Sequence, residues 1–445
     1  MNRRDFLTTI AVVGAASRGA ALAKPSWQAG VAAIDMTPEN SLWMAGFAAR
    51  TQASQGTALP LHAKALALKC GTDPVAVLVT TDLLGLTARI TDSVAARVQQ
   101  RHRIRRANLL FNASHTHCGP VVDEQLSVAY DLSPTQWDDI RAYTVILENK
   151  LAAVIDDAIS RLRPAQVSYA RDEATFAANR RVSFTPLGPV DHTVHILRVD
   201  GADGSPFAVV FGYACHNTTL PPTFVRYHGD YAGVAQAVLE QRHPGATALF
   251  VAGCGADANP APRGTIELVE AHGTALADGV DRGLKQAAPV DAVLRTAYDT
   301  VDLPFASASV RDRWKSHLTI DPIYLKRHTA LMQAAIDRDG RLPAVQRDPV
   351  QVWEFNRSSE SGLTLVALGG EVVVDYALRL AREYPRRRMW VAGYSNDVFA
   401  YVPSLRVLHE GGYEGGDAMI YYGRPGPFTE AVEELIVGKV RRLLR

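Results

Sequence analysis

Long apolar runs, a surplus of charge of either sign, and cysteines at metal-ribbon spacing are all missing from this 445-residue sequence. Each absence excludes something. Beyond residues 1–23 no stretch approaches the roughly 20 apolar residues that a membrane-spanning helix needs, so no transmembrane segment is expected in the mature chain. Lys plus Arg total 47 and Asp plus Glu 46. So even a balance gives no reason to propose nucleic acid or an anionic membrane surface as partner. The four cysteines are Cys70, Cys118, Cys215 and Cys254. Their spacing fits no zinc ribbon. In an oxidising compartment four cysteines allow three disulfide pairings, between which sequence does not choose. No Walker loop or dinucleotide-binding glycine pattern occurs, and Gly393-Tyr394-Ser395-Asn396-Asp397 lacks the closing Gly of a nucleophile elbow. A paired-carboxylate glycosidase stays open, because Asp and Glu are many. There is no internal repeat, low-complexity tract or long linker.

What is present starts at the N-terminus. Residues 1–23 read MNRRDFLTTIAVVGAASRGAALA. Arg3-Arg4, then Phe6-Leu7, a short apolar stretch and Ala21-Leu22-Ala23 are the layout of a cleaved export signal. The paired arginines point to the twin-arginine route. The mature chain is expected to be periplasmic or secreted, with 24–445 forming one catalytic domain and 303–347, polar and mixed, a helical insertion. Apolar 47% of the sequence supplies a large core. Short apolar runs predict strands at 63–68, 75–80, 108–113, 165–170, 194–199, 207–214, 246–252, 363–368 and 389–392. Amphipathic segments predict helices at 91–102, 134–161, 233–242, 266–286 and 373–383. This alternation implies an α/β fold, with central mixed sheets flanked by helices.

Polar residues gather where the strands end. NLLFNA runs into Ser114-His115-Thr116-His117, and FAVVFGYAC into His216-Asn217-Thr218-Thr219. ALFVAGC opens into Gly255-Ala256-Asp257-Ala258-Asn259, LTLVAL leads to Glu371, and MWVAG to Tyr394-Ser395-Asn396-Asp397. In open α/β sheets the C-terminal strand edge is where ligands bind. His115 and His117 are two apart, so on an extended strand both imidazoles would face one side. With His216 and a carboxylate they form a donor set that suits zinc. A lone His-x-His is more often packing or hydrogen bonding. Cys118 beside His117 is an alternative nucleophile, disfavoured because neighbours on a strand face opposite ways.

Ser-His-Thr-His-Cys-Gly-Pro (114–120), Ala214-Cys215-His216, His228-Gly229-Asp230-Tyr231, Asp257-Ala258-Asn259-Pro260, Gly370-Glu371, Tyr401-Val402-Pro403 and Gly412-Tyr413-Glu414 occur in this order. Together they resemble the motifs of the neutral ceramidases, over about residues 28–440. The resemblance implies one zinc per chain, held by His115, His216, Glu371 and Tyr401; a dinuclear centre using both motif histidines stays open. It further implies that His117, Arg180 and Tyr413 contact the scissile amide, the twelve-residue step from Tyr401 to Tyr413 favouring this register over one starting at Tyr394. The plainer readings are a surface ion pair for Arg180 and a core-edge aromatic for Tyr413. His228, Asp230, Asp257 and Asn259 are candidates to orient ligands or meet substrate, or to be structural loop residues. Two departures put ceramide itself in question: Asn259 stands where the family carries Ser, and the family's C-terminal immunoglobulin-like domain has no counterpart here. The function expected is hydrolysis of an amide in a small-molecule or lipid N-acyl compound, ceramide or ceramide-like, by zinc-bound hydroxide. The alternatives are a zinc esterase or lactonase on the same site and a non-catalytic periplasmic binding protein.

Overall fold

A computed structural model of the chain describes residues 26–306, 321–355 and 362–444. The expected export signal lies outside them, as do residues 307–320 of the expected insertion.

Among the described residues, nine strands build the larger sheet. They are β1 (Trp27–Asp35), β2 (His62–Cys70), β3 (Ala76–Thr81), β4 (Leu109–Ala113), β5 (Arg163–Glu173), β7 (Thr193–Asp200), β8 (Pro206–Tyr213), β9 (Thr247–Ala252) and the short β11 (Ala288–Pro289). β6 (Ala177–Asn179) pairs separately with β10 (Ala258–Pro260). The path runs β4-β3-β2-β1-β5-β7-β8-β9, with β11 added to β5. A second sheet has the order β12 (Arg295–Pro304), β13 (Val345–Phe355), β14 (Gly362–Leu368), β16 (Arg387–Ala392). A two-stranded piece pairs β15 (Glu371–Val372) with β17 (Tyr401–Val402). Among the described strands, parallel pairs are β3/β4, β8/β9, β14/β16 and β15/β17, and the other pairs are antiparallel. The sheets are therefore mixed, as the sequence led us to expect.

Side-chain alternation makes the layers. In β2, Ala63, Ala65 and Ala67 join the core shared with α1 (Ala88–His102) and α2 (Pro134–Ser160), while Leu66 and Leu68 point the other way. These leucines meet Trp353, Leu363, Leu365 and Trp390 of the second sheet, a face-to-face sheet contact. α3 (Asp230–Arg242) and α4 (Ile266–Leu284) cover the rest of the larger sheet. Helices Asp375–Glu383 and Val432–Leu443 cover the outer face of the second. The result is four layers: helix, sheet, sheet, helix. Local signals agree with the helices. Ser133 and Gln136 form a capping box at the start of α2, with Pro134 at its first position.

β4 and β9 lie at opposite ends of the strand path, yet their C-terminal ends meet. The Asn112 carboxamide joins them: Ala252 N–H donates to its Oδ1 at 2.8 Å, and its Nδ2 donates to the Gly393 carbonyl at 2.8 Å. Bridges Gly253↔Ala392, Asn112↔Ser395 and Thr116↔Asn217 add to this closure. Loops leaving β4, β8, β9, β14 and β16 thus converge on one place.

β1, β12, β13 and the helix Val432–Leu443 were not anticipated. A helix does occupy Pro322–Asp339. Residues 303–304 and 345–347, however, are the facing ends of the β12–β13 hairpin rather than part of a helical excursion. The four cysteines are all buried and form no disulfide with one another. No helix among the described residues is long and apolar enough to cross a membrane.

Candidate metal centre

The histidines converge, but not by strand geometry. β4 ends at Ala113, and His115 has φ 63°, a left-handed conformation uncommon for a residue with a Cβ. The turn is held by His115 N–H donating to the Leu83 carbonyl at 2.9 Å. Its Nδ1 lies 2.7 Å from the Leu84 carbonyl. A carbonyl only accepts, so Nδ1 carries a proton, and the ring is held with Nε2 turned into the cluster. His216 is fixed the same way, its Nδ1 2.8 Å from the Gly255 carbonyl.

Both free Nε2 atoms face Oε2 of Glu371, at 3.0 Å from His115 and 3.1 Å from His216. Tyr401 Oη is 3.2 Å from His216 Nε2, and His117 Nε2 is 3.3 Å from His115 Nε2. Glu371 and Tyr401 come together because they are register partners of β15 and β17. The ligand nitrogens of His115, His117 and His216 lie within 4.8 Å of one another. Burial, then Arg180, pushes His216 down to about 4. Burial, then the charges of His115 and His216, holds His117 well below its ordinary value. Burial works to raise the Glu371 carboxyl, but His115 and His216 outweigh it and hold it well below the usual range. The Nε2 atoms of His115 and His216 and the Glu371 oxygen between them thus compete for one buried point. A cation resolves that conflict. Ligands about 2.0–2.1 Å from a tetrahedral zinc lie roughly 3.3 Å apart, close to the 3.0–3.2 Å separations among His115, His216, Glu371 and Tyr401 here.

Beside this cluster Arg180 follows β6, its backbone N–H donating to the Asp257 carbonyl at 2.8 Å. Its Nη2 donates to Tyr401 Oη at 3.0 Å, Nε to Glu414 at 2.6 Å and Nη1 to Asn259 Oδ1 at 3.4 Å. The Asp257 carboxylate accepts from Val374 N–H at 2.9 Å and Asn179 Nδ2 at 3.1 Å. Asp257 and Asn259 therefore support Arg180 rather than the histidines. Tyr413 packs edge-on to Tyr401, ring centroids 5.2 Å apart. His228 and Asp230 stay in the loop before α3. His228 Nδ1 accepts from Asp230 N–H at 2.9 Å, and the His228 carbonyl accepts from Thr116 Oγ1 at 2.7 Å. Their link to the site is that brace on the residue between the two histidines. Burial, partly opposed by Arg50, pushes the Cys118 thiol up to about 12, leaving it protonated and non-nucleophilic at pH 7.

The cluster floors a cavity of about 220 Å³, whose walls include Phe47, Leu84, Leu126, Ala129, Tyr421 and Tyr422. Motif reading missed Gly46, Phe47, Tyr422 and Asn112. Tyr421-Tyr422 was visible only as an aromatic pair, with no spacing to tie it to Glu371.

Fold and donor set define an α/β protein with a buried centre fit for a metal ion, next to an arginine and tyrosines. Residues 27–261 match the N-terminal part of the neutral/alkaline non-lysosomal ceramidases, and the chain belongs to that family. The fold is similar to the crystal structure of neutral ceramidase from Pseudomonas aeruginosa, with TM-score 0.71 and 17% identity over 94% of this chain and 75% of that one. It is also similar to a ceramidase complexed with C2, with TM-score 0.71 and 15% identity over 94% and 76% of the two chains. No curated protein matches in sequence. The family match contains His115, His117, Arg180 and His216, while Glu371, Tyr401, Tyr413 and Tyr422 come from the part beyond it. Membership supports an amide-hydrolysing, ceramidase-like function for the chain.

Proposed function

We propose that the chain is an exported zinc-dependent hydrolase that cleaves the amide of an N-acyl compound, ceramide or a ceramide-like lipid. One zinc per chain would be held by His115, His216, Glu371 and Tyr401. The observation that carries this reading is the convergence of the His115 and His216 Nε2 atoms on Oε2 of Glu371, with Tyr401 Oη beside them. When bound, zinc supplies a Lewis acid and lowers the pKa of a coordinated water towards neutrality. The chain's own groups do the rest. Arg180, kept cationic by Tyr401 and Glu414 against the effect of burial, offers its guanidinium to the developing oxyanion. Burial raises the Tyr413 hydroxyl, so it stays protonated and can donate to the same oxygen or to the leaving nitrogen. His117 has a buried Nδ1 with no partner among the described residues, which leaves its imidazole free to meet the substrate amide. Phe47 and Leu126 help exclude water from the cavity.

The first experiment is metal content per chain of the purified protein and of His216→Ala, with an amide and ester substrate panel run with and without chelator. The expected result is close to one zinc, lost in the variant, and amide turnover that chelation abolishes. Metal absent from both proteins would overturn the proposal. Metal-dependent turnover of esters alone would keep the centre and replace the substrate class.

A further inference from the structure

The two carboxylate oxygens of Glu371 are treated differently. Oε2 faces His115 and His216, as described above, whereas Oε1 accepts a hydrogen bond from the Tyr422 hydroxyl. Tyr422 follows the short 3-10 helix Asp417–Ile420. Its ring lies edge-on to that of Tyr401, centroids 6.3 Å apart. The segment is tied down by Arg424, whose backbone N–H donates to the Met419 carbonyl at 2.9 Å and whose Nε donates to the Phe399 carbonyl at 3.1 Å.

We propose that Tyr422 is a positioning residue for Glu371, presenting Oε2 alone to the metal and reserving Oε1 for itself. A carboxylate without that partner can rotate about its last torsion and offer both oxygens, or neither, to the histidines. The hydroxyl also compensates a charge that burial disfavours. A ligand that chelates through one oxygen leaves more of the coordination sphere to other groups, which a catalytic centre requires. The inference rests on the metal reading of this site, and its test is built to fail separately from that reading.

Tyr422→Phe keeps the ring and removes only the hydroxyl. Zinc affinity is measured by competition with a chromophoric chelator, and the cobalt-substituted protein gives a visible spectrum sensitive to the number of oxygen ligands. Tyr421→Phe, which takes a hydroxyl from the neighbouring ring, is the comparison. The expected result is a roughly 10–100-fold weaker zinc affinity and an altered cobalt spectrum for Tyr422→Phe, with wild-type affinity for Tyr421→Phe. Wild-type affinity and an unchanged spectrum in Tyr422→Phe would overturn the inference. So would a rise in KM with metal affinity intact, which would make Tyr422 a substrate contact. If Tyr422→Phe does not fold, the infrared carboxylate bands of the wild-type protein with and without zinc decide: a single-oxygen ligand supports the inference and a bidentate one refutes it. A wild-type protein that binds no metal would instead overturn the proposed function.

Discussion

His117 owes its place to a residue without a side chain. A Cβ on Gly46 would come within 2.4 Å of His117 Nδ1, and Gly46 has φ +98°, which L side chains rarely adopt. On the imidazole's flank Phe47 stands 4.6 Å away, ring centroid to ring centroid. Gly46→Ala should therefore move the imidazole by a substantial fraction of an ångström. On the reading that His117 meets substrate, turnover is expected to fall by about 100-fold while zinc content stays at the wild-type value. Metal analysis and steady-state kinetics on one preparation check this. Loss of zinc along with activity would make His117 a metal ligand instead.

At the scale of elements, the site exists because the two ends of a long strand path are joined, and Asn112 is the joint. Its side chain accepts from Ala252 N–H and donates to the carbonyl of Gly393, from a residue that is fully buried. Asn112→Ala leaves that N–H buried without a partner and the Gly393 carbonyl with the Ser395 hydroxyl alone. A loss of about 1–3 kcal/mol is expected in denaturant unfolding of the metal-free protein. A loss below about 0.5 kcal/mol, the scatter of surface substitutions, would show that the bridges around it suffice. Asn112 also marks what was readable beforehand. Apolar runs such as LLFNA and ALFVA announced β4 and β9, and the polar residues after them announced the site, because burial on both faces leaves a continuous apolar signature. β1 and the β12–β13 hairpin escaped because small and charged residues interrupt their pattern: WQAGVAAID is rich in alanine, and RTAYDTVDLP is half polar. His-x-His was read as extended strand and is a left-handed turn at His115. That backbone is dictated by the Leu83 and Leu84 carbonyls, which sequence does not place. Tyr422 and Asn112 act through partners on other strands, and no local spacing encodes such partners.

Stacking two sheets between helices buries charge along with apolar surface, and the whole molecule carries the consequence as a pH dependence. Asp397 follows β16 and reaches the first turn of α1, where its Oδ1 accepts from Ala88 N–H at 3.0 Å. Burial, opposed by Arg424 and aided by Asp92 and Asp123, raises its carboxyl to about 7. Asp348 on β13 is fully buried, and burial followed by the Asp397 charge pushes it well above the usual range against the Gly369 backbone N–H. Between the ordinary carboxylate value and the raised one, the folded protein keeps a proton that the unfolded chain has released. Stability from such a group is complete below about pH 4 and declines as pH rises, at up to about 1.4 kcal/mol per unit. For Asp397 the window closes near pH 7, and the decline over it is on the order of 4 kcal/mol. Asn in its place can still accept from Ala88 N–H and has no proton to lose. Urea unfolding of metal-free wild type and Asp397→Asn should therefore diverge as pH rises, the variant gaining a few kcal/mol relative to wild type at about pH 8 and little at about pH 4. Curves that stay parallel across that range would mean that Arg424 pairs with an ionised Asp397 throughout.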